Sequence, residues 1–400
     1  TVILKNKEII RLKSDRSANI ELKESSCGIF TGKYSFKNHT ANIPDFIIDC
    51  NSVSISRKLT ITKQKKLQKL AQKLQKPVIH INPVGATDNI SFAGESAVFS
   101  DNGELIARAK SFEEDLFIIN PFSSTKKINY KPACVMQNKF SLNYEDDMER
   151  TYKILGQGIK DYFNKCRIKR AALGLSGGLD STVCSVLLTD ALGKDNVYGI
   201  SLPFKYTSEE SKSDAKLLAH NLGIHFFEIP IKPIVDVTNS EFAKLFEQIE
   251  TNWNCRYKNS YTLDNIQARS RALFLWGIAN EFSSCIPIAT SDKSEAYMGY
   301  ATINGDMSGG FAPILDIPKT KLFALARWMN KNRIQKNAIP ETIILKKPGA
   351  ELAINPLTGK TLYAEEALMP YEFMDEVIWR IENKHETFSG MLKAKFIYEK

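Results

Sequence analysis

The chain has 400 residues, 43% hydrophobic and 25% charged, which is the composition of a globular protein with room for two or three domains and a sizeable core. It has no apolar run long enough to span a bilayer, and "TVILKNKEII" lacks the basic start and cleavage site of a secretory leader, so neither a membrane span nor secretion is expected. Seven scattered cysteines without a Cys-x-x-Cys pair argue for reduced thiols in a cytoplasm, and against a disulfide framework or a zinc site.

The net charge of +9 is concentrated at one end. Residues 1–85 carry 16 Lys and Arg against 6 Asp and Glu, so the remainder is close to neutral. Much of the excess lies in "RKLTITKQKKLQKLAQKLQK", where Leu67, Leu70 and Leu74 recur at helical spacing beneath a lysine-rich face. Such a face is ordinarily solvated, and nucleic acid is not the expected partner.

Around this helix, "PDFIID", "PVIHIN" and "SAVFSDNGELIARA" read as strands, the last with a hairpin turn at Asp101-Asn102-Gly103. Residues 1–120 therefore form a first domain. Residues 121–147, polar and without periodicity, read as a linker. Residues 148–400 form a second domain, in which "KRAALGLS", "NVYGISLPF", "IHFFEIPI" and "CIPIAT" alternate with helical segments. Strand and helix in alternation predict a doubly wound, mostly parallel sheet covered on both faces.

Within that sheet, "LGLSGGLDSTVC" places two glycines between a strand and a helix. Ligands of open α/β sheets bind at the carboxyl ends of strands. There the first amides of the helix and its dipole favour an anion, and missing Cβ atoms would let it approach the backbone of Gly177 and Gly178. Ser176 and Ser181 add hydroxyl donors. Asp180 would repel a phosphate unless a cation lay between them, which points to a nucleotide pyrophosphate with Mg²⁺.

The loop lacks the Gly-Lys-Ser/Thr ending of a Walker loop and resembles the Ser-Gly-Gly-x-Asp-Ser loop of the ATP pyrophosphatases, the PP-loop family. That resemblance implies a Rossmann-like fold of the adenine nucleotide alpha-hydrolase type. It also implies cleavage of ATP between its α and β phosphates. Residues 285–325, "CIPIATSDKSEAYMGYATINGDMSGGFAPILDIPKTKLFAL", resemble the second signature of the NAD synthetases, with Thr290, Lys293, Ser294, Glu295, Gly299, Tyr300, Thr302, Gly305, Asp306, Pro318, Lys319 and Thr320 in place. Asp292 stands where asparagine is commoner. "DNIQARSRALFL" matches a further segment of that family.

The resemblance implies a role for each matched residue. Asp180 and Glu295 hold Mg²⁺, and Lys319 neutralises the departing pyrophosphate beside Ser176 and Ser181. Arg271, Leu202 and Thr290 lie on ATP, while Asn265, Arg269, Tyr300 and Asp306 lie on deamido-NAD. Loops around 205–212 and 349–366 are expected to close over the reactive intermediate. Gly349 replaces a hydroxyl residue that would help bind pyrophosphate, and Met369 replaces a proline. One lost hydroxyl bond costs roughly 0.5–1.5 kcal/mol, so weaker ATP binding is expected rather than loss of activity.

Residues 78–120 resemble the end of the nitrilase-type amidase domain that precedes the synthetase in glutamine-dependent NAD synthetases. In that family a Cys nucleophile follows a strand in a Gly-Val-x-Ile-Cys-Glu-Asp pattern. Here "GIFTGKYSF" is the best match, placing Gly32 at the nucleophile and Lys33 at its acidic neighbour. Cys27 would lie before the strand, Ala93 replaces a usual Asp, and Lys13, the match to the family Lys, cannot alone perform acyl transfer. The part preceding the linker is about half the usual domain length and is read as a partial, inactive amidase domain.

These residues imply a cytoplasmic enzyme that makes NAD⁺ from deamido-NAD, ATP and ammonia, homodimeric through its synthetase domain. A shifted register that restored Cys27 would instead give an active glutamine-dependent synthetase. A tRNA-modifying ATP pyrophosphatase would use the basic N-terminus electrostatically, but has no reason to carry a deamido-NAD signature. A non-catalytic binding protein has no reason to keep Asp180, Glu295 and Lys319.

Overall fold

The structure, a computed structural model, describes residues 2–5, 8–11, 16–21, 26–31, 44–54, 57–88, 90–120, 122, 147–253, 261–333, 335–349 and 368–396. The chain divides into two compact units, Thr1–Met136 and Gln137–Lys400. Residues 123–146 of the expected linker lie outside the described residues.

In the first unit β1 (Val2–Lys5) pairs antiparallel with β2 (Glu8–Arg11). The main sheet has six strands: β3 (Arg16–Glu21), β4 (Ser26–Thr31), β5 (Phe46–Asp49), β6 (Val78–His80), β9 (Ala97–Phe99) and β10 (Leu105–Arg108). Their order is β10-β9-β6-β5-β4-β3, and the β4/β5 and β5/β6 pairs are parallel. The short strands β7 (Val84–Thr87) and β8 (Ile90–Ala93) pair with each other. Helix α1 (Arg57–Leu74) buries Leu67 and Ala71 against Ile47, Val78, Ala97 and Phe99, with Leu70 and Leu74 at the edge. Lys65, Lys66, Lys69 and Lys73 face solvent, as the spacing predicts.

A buried polar trio closes the carboxyl ends of β5 and β6. Asp49 and His80 are cross-strand neighbours, with His80 Nδ1 2.6 Å from Asp49 Oδ2. Lys63 reaches the same oxygen from α1 at 2.9 Å, and Asn51 donates to Asp49 Oδ1. Each charge has an opposite or hydrogen-bonding neighbour, which is what permits burial.

The second unit opens with α2 (Met148–Lys165) and then alternates strand and helix: β11 (Arg170–Gly174), α3 (Leu179–Leu192), β12 (Val197–Ser201), α4 (Glu209–Leu222), β13 (His225–Glu228), α5 (Lys232–Trp253), α6 (Thr262–Glu281) and β14 (Cys285–Ile288). Five shorter or later helices follow: α7 (Lys293–Met298), α8 (Lys319–Asn332), α9 (Glu341–Leu345), α10 (Tyr371–Lys384) and α11 (Phe388–Met391). The four strands are all parallel, in the order β13-β12-β11-β14. Alternate residues of β11 serve opposite faces. Ala171 and Leu173 join the core with α2, α3, α4 and α8, whereas Ala172 joins the core with α5 and α6. Covered on both sides, the sheet is doubly wound, and α3, buried along most of its length, reads apolar all round for the same reason.

The segment after β14 folds back along it. The Gly310 N–H donates to the Pro287 carbonyl, and the Ala289 N–H to the Phe311 carbonyl. A Cβ on Gly309 would fall 2.3 Å from the Ala289 nitrogen, which is backbone and cannot yield cheaply. Gly309→Ala is therefore expected to destabilise the fold by roughly 1–3 kcal/mol, read as a lower urea midpoint at unchanged m-value.

Candidate active site

The chain winds from β11 outward to β12 and β13, then returns to place β14 on the other side of β11. The crevice between β11 and β14 at their carboxyl ends is thus the switch point of the sheet, where such folds hold ligands. The Ser176–Ser181 turn emerges there into α3. Inside the turn Gly178 N–H donates to Ser176 Oγ, and Ser181 Oγ donates to the Gly178 carbonyl. The two serine hydroxyls are 3.2 Å apart.

Gly177 has an internal explanation that the sequence reading lacked. Its φ of +77° is left-handed, and a Cβ would lie 2.2 Å from the Ser211 carbonyl oxygen in the first turn of α4. It is the chain's own backbone that approaches so closely. At Gly178 a Cβ would meet only Ser176 Oγ, at 3.2 Å, so that glycine keeps the open side of the turn.

Around the turn lies a cavity of about 270 Å³. Ser176, Gly177, Gly178, Asp180, Ser181, Leu202, Arg271, Thr290, Glu295, Tyr300, Asp306 and Lys319 all line it. Ile200, Ala272, Leu275 and Ile288 give it an apolar wall suited to a flat ring. Arg271 is held by an Nε donation to the Leu202 carbonyl. Asp306 accepts the Thr302 N–H at 2.6 Å, and burial raises its carboxyl from the ordinary value.

Asn265 and Arg269 do not line this cavity. Asn265 Oδ1 accepts from the Thr302 hydroxyl, and Arg269 donates to the Ile303 carbonyl, so both hold the Thr302–Asp306 loop from behind. A helix turns about 100° per residue, so Arg271 faces well away from its neighbours at 265 and 269. Gly32 and Lys13 lie outside the described residues, as does most of the 349–366 loop. Cys27 is buried in β4, and burial, with Cys50 adding, pushes its thiol up to about 12, which disfavours a thiolate nucleophile. Gly349 lies at the cavity with Lys346 and Lys347. The Lys346 ammonium donates to the Ser211 hydroxyl.

The charged centre is assembled by helix caps. "SDKSEAYMG" has Asp292 as N-cap of α7, accepting the Glu295 N–H at 2.8 Å, and Gly299 in the left-handed region as its stop. This short helix therefore fixes both carboxylates. Lys319 opens α8, and its ammonium lies 2.7 Å from Asp180, 2.8 Å from Asp292 and 3.0 Å from Glu295. Asp375 on α10 secures the arrangement by accepting from the Ser294 hydroxyl and from both the N–H and hydroxyl of Thr320. Ser294 Oγ in turn accepts the Lys319 N–H.

Lys319 is 1% exposed. Burial alone would pull its ammonium down, but Asp180, Glu295 and Asp292 hold it well above its ordinary value. Burial pushes Glu295 up to about 8 and Asp292 up to about 6; Lys319 opposes the shift and Asp180 reinforces it. Three carboxylates around one ammonium carry excess negative charge, and oxygens of Asp180, Asp292 and Glu295 all lie within 4.8 Å of one another. The ammonium already occupies a place for a cation, and an all-oxygen donor set suits Mg²⁺. The sequence reading missed Asp292 in this cluster and Asp375 behind it. The Asp-x-x-Glu spacing before α7 was the available signal.

Comparison with known proteins agrees with this geometry. Residues 151–397 match the family model described as NAD synthase. The chain is 34% identical over 327 residues to the glutamine-dependent NAD(+) synthetase of Synechocystis, covering 82% of this chain and 54% of that protein. It is 37% identical over 324 residues to the enzyme of the same name from Aquifex aeolicus, covering 75% and 54%. The chain thus spans about half the length of the curated relatives it matches. Among solved structures, glutamine-dependent NAD+ synthetase from Acinetobacter baumannii in complex with ADP superimposes with a TM-score of 0.69 at 26% identity, covering 95% of this chain and 66% of that one. The corresponding Cytophaga hutchinsonii structure gives 0.68 at 17% identity, covering 99% and 67%, a likeness of fold. The two units accordingly have the Rossmann-like and nitrilase-like architectures of those structures, and with the family model matched over most of the second unit, the chain belongs to the NAD synthase family.

Proposed function

We propose that this chain makes NAD⁺ from deamido-NAD, ATP and ammonia by adenylation followed by amidation. The supporting observation is the convergence, at one switch-point cavity, of the Ser176–Ser181 turn, Arg271 and the Lys319–carboxylate cluster. The nicotinate carboxylate oxygen attacks the α-phosphorus of ATP, and the bond from that phosphorus to the bridging oxygen breaks, releasing pyrophosphate. Ammonia nitrogen then attacks the acyl carbon, its excess proton is lost, and the bond to AMP breaks.

Each residue answers a charge that this sequence creates. Ser176, Ser181 and the amides opening α3 donate to the phosphates, and Lys319 neutralises the departing pyrophosphate. Mg²⁺, held by Asp180 and Glu295, supplies further positive charge to the phosphate oxygens when bound. Leu202, Thr290 and Arg271 position ATP. Tyr300 and Asp306 face deamido-NAD, while Asn265 and Arg269 act by bracing the loop that carries Asp306. The first unit keeps an amidase architecture with Gly32 at the nucleophile position, and so does not hydrolyse glutamine. The enzyme works as a homodimer through its second unit in the cytoplasm, and light scattering should report twice the chain mass.

The first test is NAD⁺ formation by the purified chain with ATP, Mg²⁺ and deamido-NAD. Ammonium is expected to support turnover and glutamine is not. Equal rates with glutamine would refute the inactive amidase, and no product with either donor would refute the synthetase.

A pH effect follows from Glu295. Its carboxyl rises from 4.5 in the unfolded chain to about 8 in the cation-free fold. The stability contributed by its proton is therefore complete below about 4.5 and lost as pH rises through about 8. Mg²⁺ binds the deprotonated form and must displace that proton at lower pH. The gain in melting temperature on adding Mg²⁺ should thus be larger at about pH 8.5 than at about pH 6. An equal gain at both would mean that Glu295 is not a ligand.

A further inference from the structure

We infer that Asp292 is a third ligand of the cation, and that the Lys319 ammonium keeps the cation's place until the metal arrives. The inference rests on reading the cavity as the ATP and Mg²⁺ site, but asks something separate of it. Asp292 is wholly buried, and its two oxygens have different tasks. Oδ1 caps α7 by accepting the Glu295 N–H. Oδ2 is paired with Nζ of Lys319 at 2.8 Å.

The same Nζ touches both Asp180 oxygens and Glu295 Oε1. An ammonium and a divalent cation cannot share that centre, so metal entry moves Lys319 toward the phosphates it is to neutralise. That move leaves Asp292 Oδ2 as a buried charge without its partner, a costly state. Ligation of the incoming cation removes the cost. The charges agree: three carboxylates, one ammonium and one divalent cation sum to zero. With asparagine at 292 one negative charge would be missing and its amide would contribute nothing comparable. The aspartate thus builds a site that holds a cation more firmly before nucleotide binds.

The test is Mn²⁺ binding to the nucleotide-free full chain, read from the free-ion EPR signal without turnover. Asp292→Asn keeps the oxygen that caps α7, so it is expected to fold, as a melting curve would verify. Its Mn²⁺ affinity should fall about tenfold or more, whereas Lys319→Met, lacking the competing ammonium, should bind Mn²⁺ more tightly. The deciding measurement is the double variant. A ligand at 292 is still missed when Lys319 is gone, so D292N should weaken binding in the K319M background as well. If D292N has no effect there, Asp292 only pairs with Lys319 and the inference falls. Glu295→Gln separates the two levels. Weaker binding in E295Q with unchanged binding in D292N sinks the third ligand alone, and unchanged binding in both sinks the cation site itself.

Discussion

The second unit is organised around one ammonium group held by three carboxylates. Asp180 arrives from the turn after β11, Asp292 and Glu295 from α7 after β14, and Lys319 from the start of α8. These elements are distant in sequence, and the two strands that lead into them are neighbours only because the sheet reverses its winding at β11. The topology supplies the crevice, and the ion cluster closes it. Burying Asp292 and Lys319 is costly unless each finds its partner, so the positions of α7 and α8 are tightly specified. Asp375 adds a second tie between the same two helices from α10. The charged wall of the cavity is in this way preorganised by the contacts that hold these helices together.

The Ser176–Ser181 turn is tied to its surroundings in a different way. Gly177 packs against the Ser211 carbonyl so closely that no Cβ fits, and Ser211 also receives the Lys346 ammonium beside the cavity. Ser211 therefore joins the turn, the start of α4 and the segment before Gly349. Gly177 reflects backbone meeting backbone, whereas the hydroxyls of Ser176 and Ser181 keep the turn polar.

Much of this was legible in the sequence. The apolar runs of β5, β6, β9 and β11 to β14 were each bounded by turn residues, and the lysine-rich α1 showed its buried leucines by spacing alone. The Ser176–Ser181 turn stood out because its glycines and hydroxyls are consecutive in sequence between an apolar strand and a helix, which is where the structure has it. What stayed hidden depends on contacts between elements. Asp292 looked like a minor departure from asparagine until Lys319 was placed against it. Asp375 carries no motif of its own and acts only through Ser294 and Thr320. Asn265 and Arg269 are a different case, since helical phase already separates them from Arg271, yet their bonds to Thr302 and Ile303 appear only in the fold.

The trio of Asp49, His80 and Lys63 closes the carboxyl ends of two parallel strands in the first unit, the region where an α/β sheet ordinarily keeps reactive side chains in reserve. Reactive groups held in reserve are a source of instability, because they are kept unsatisfied for a substrate. Here the polar groups satisfy one another. With Asp49, His80 and Lys63 bonded to one another, the ends of these two strands are held by contacts that lie inside the unit itself.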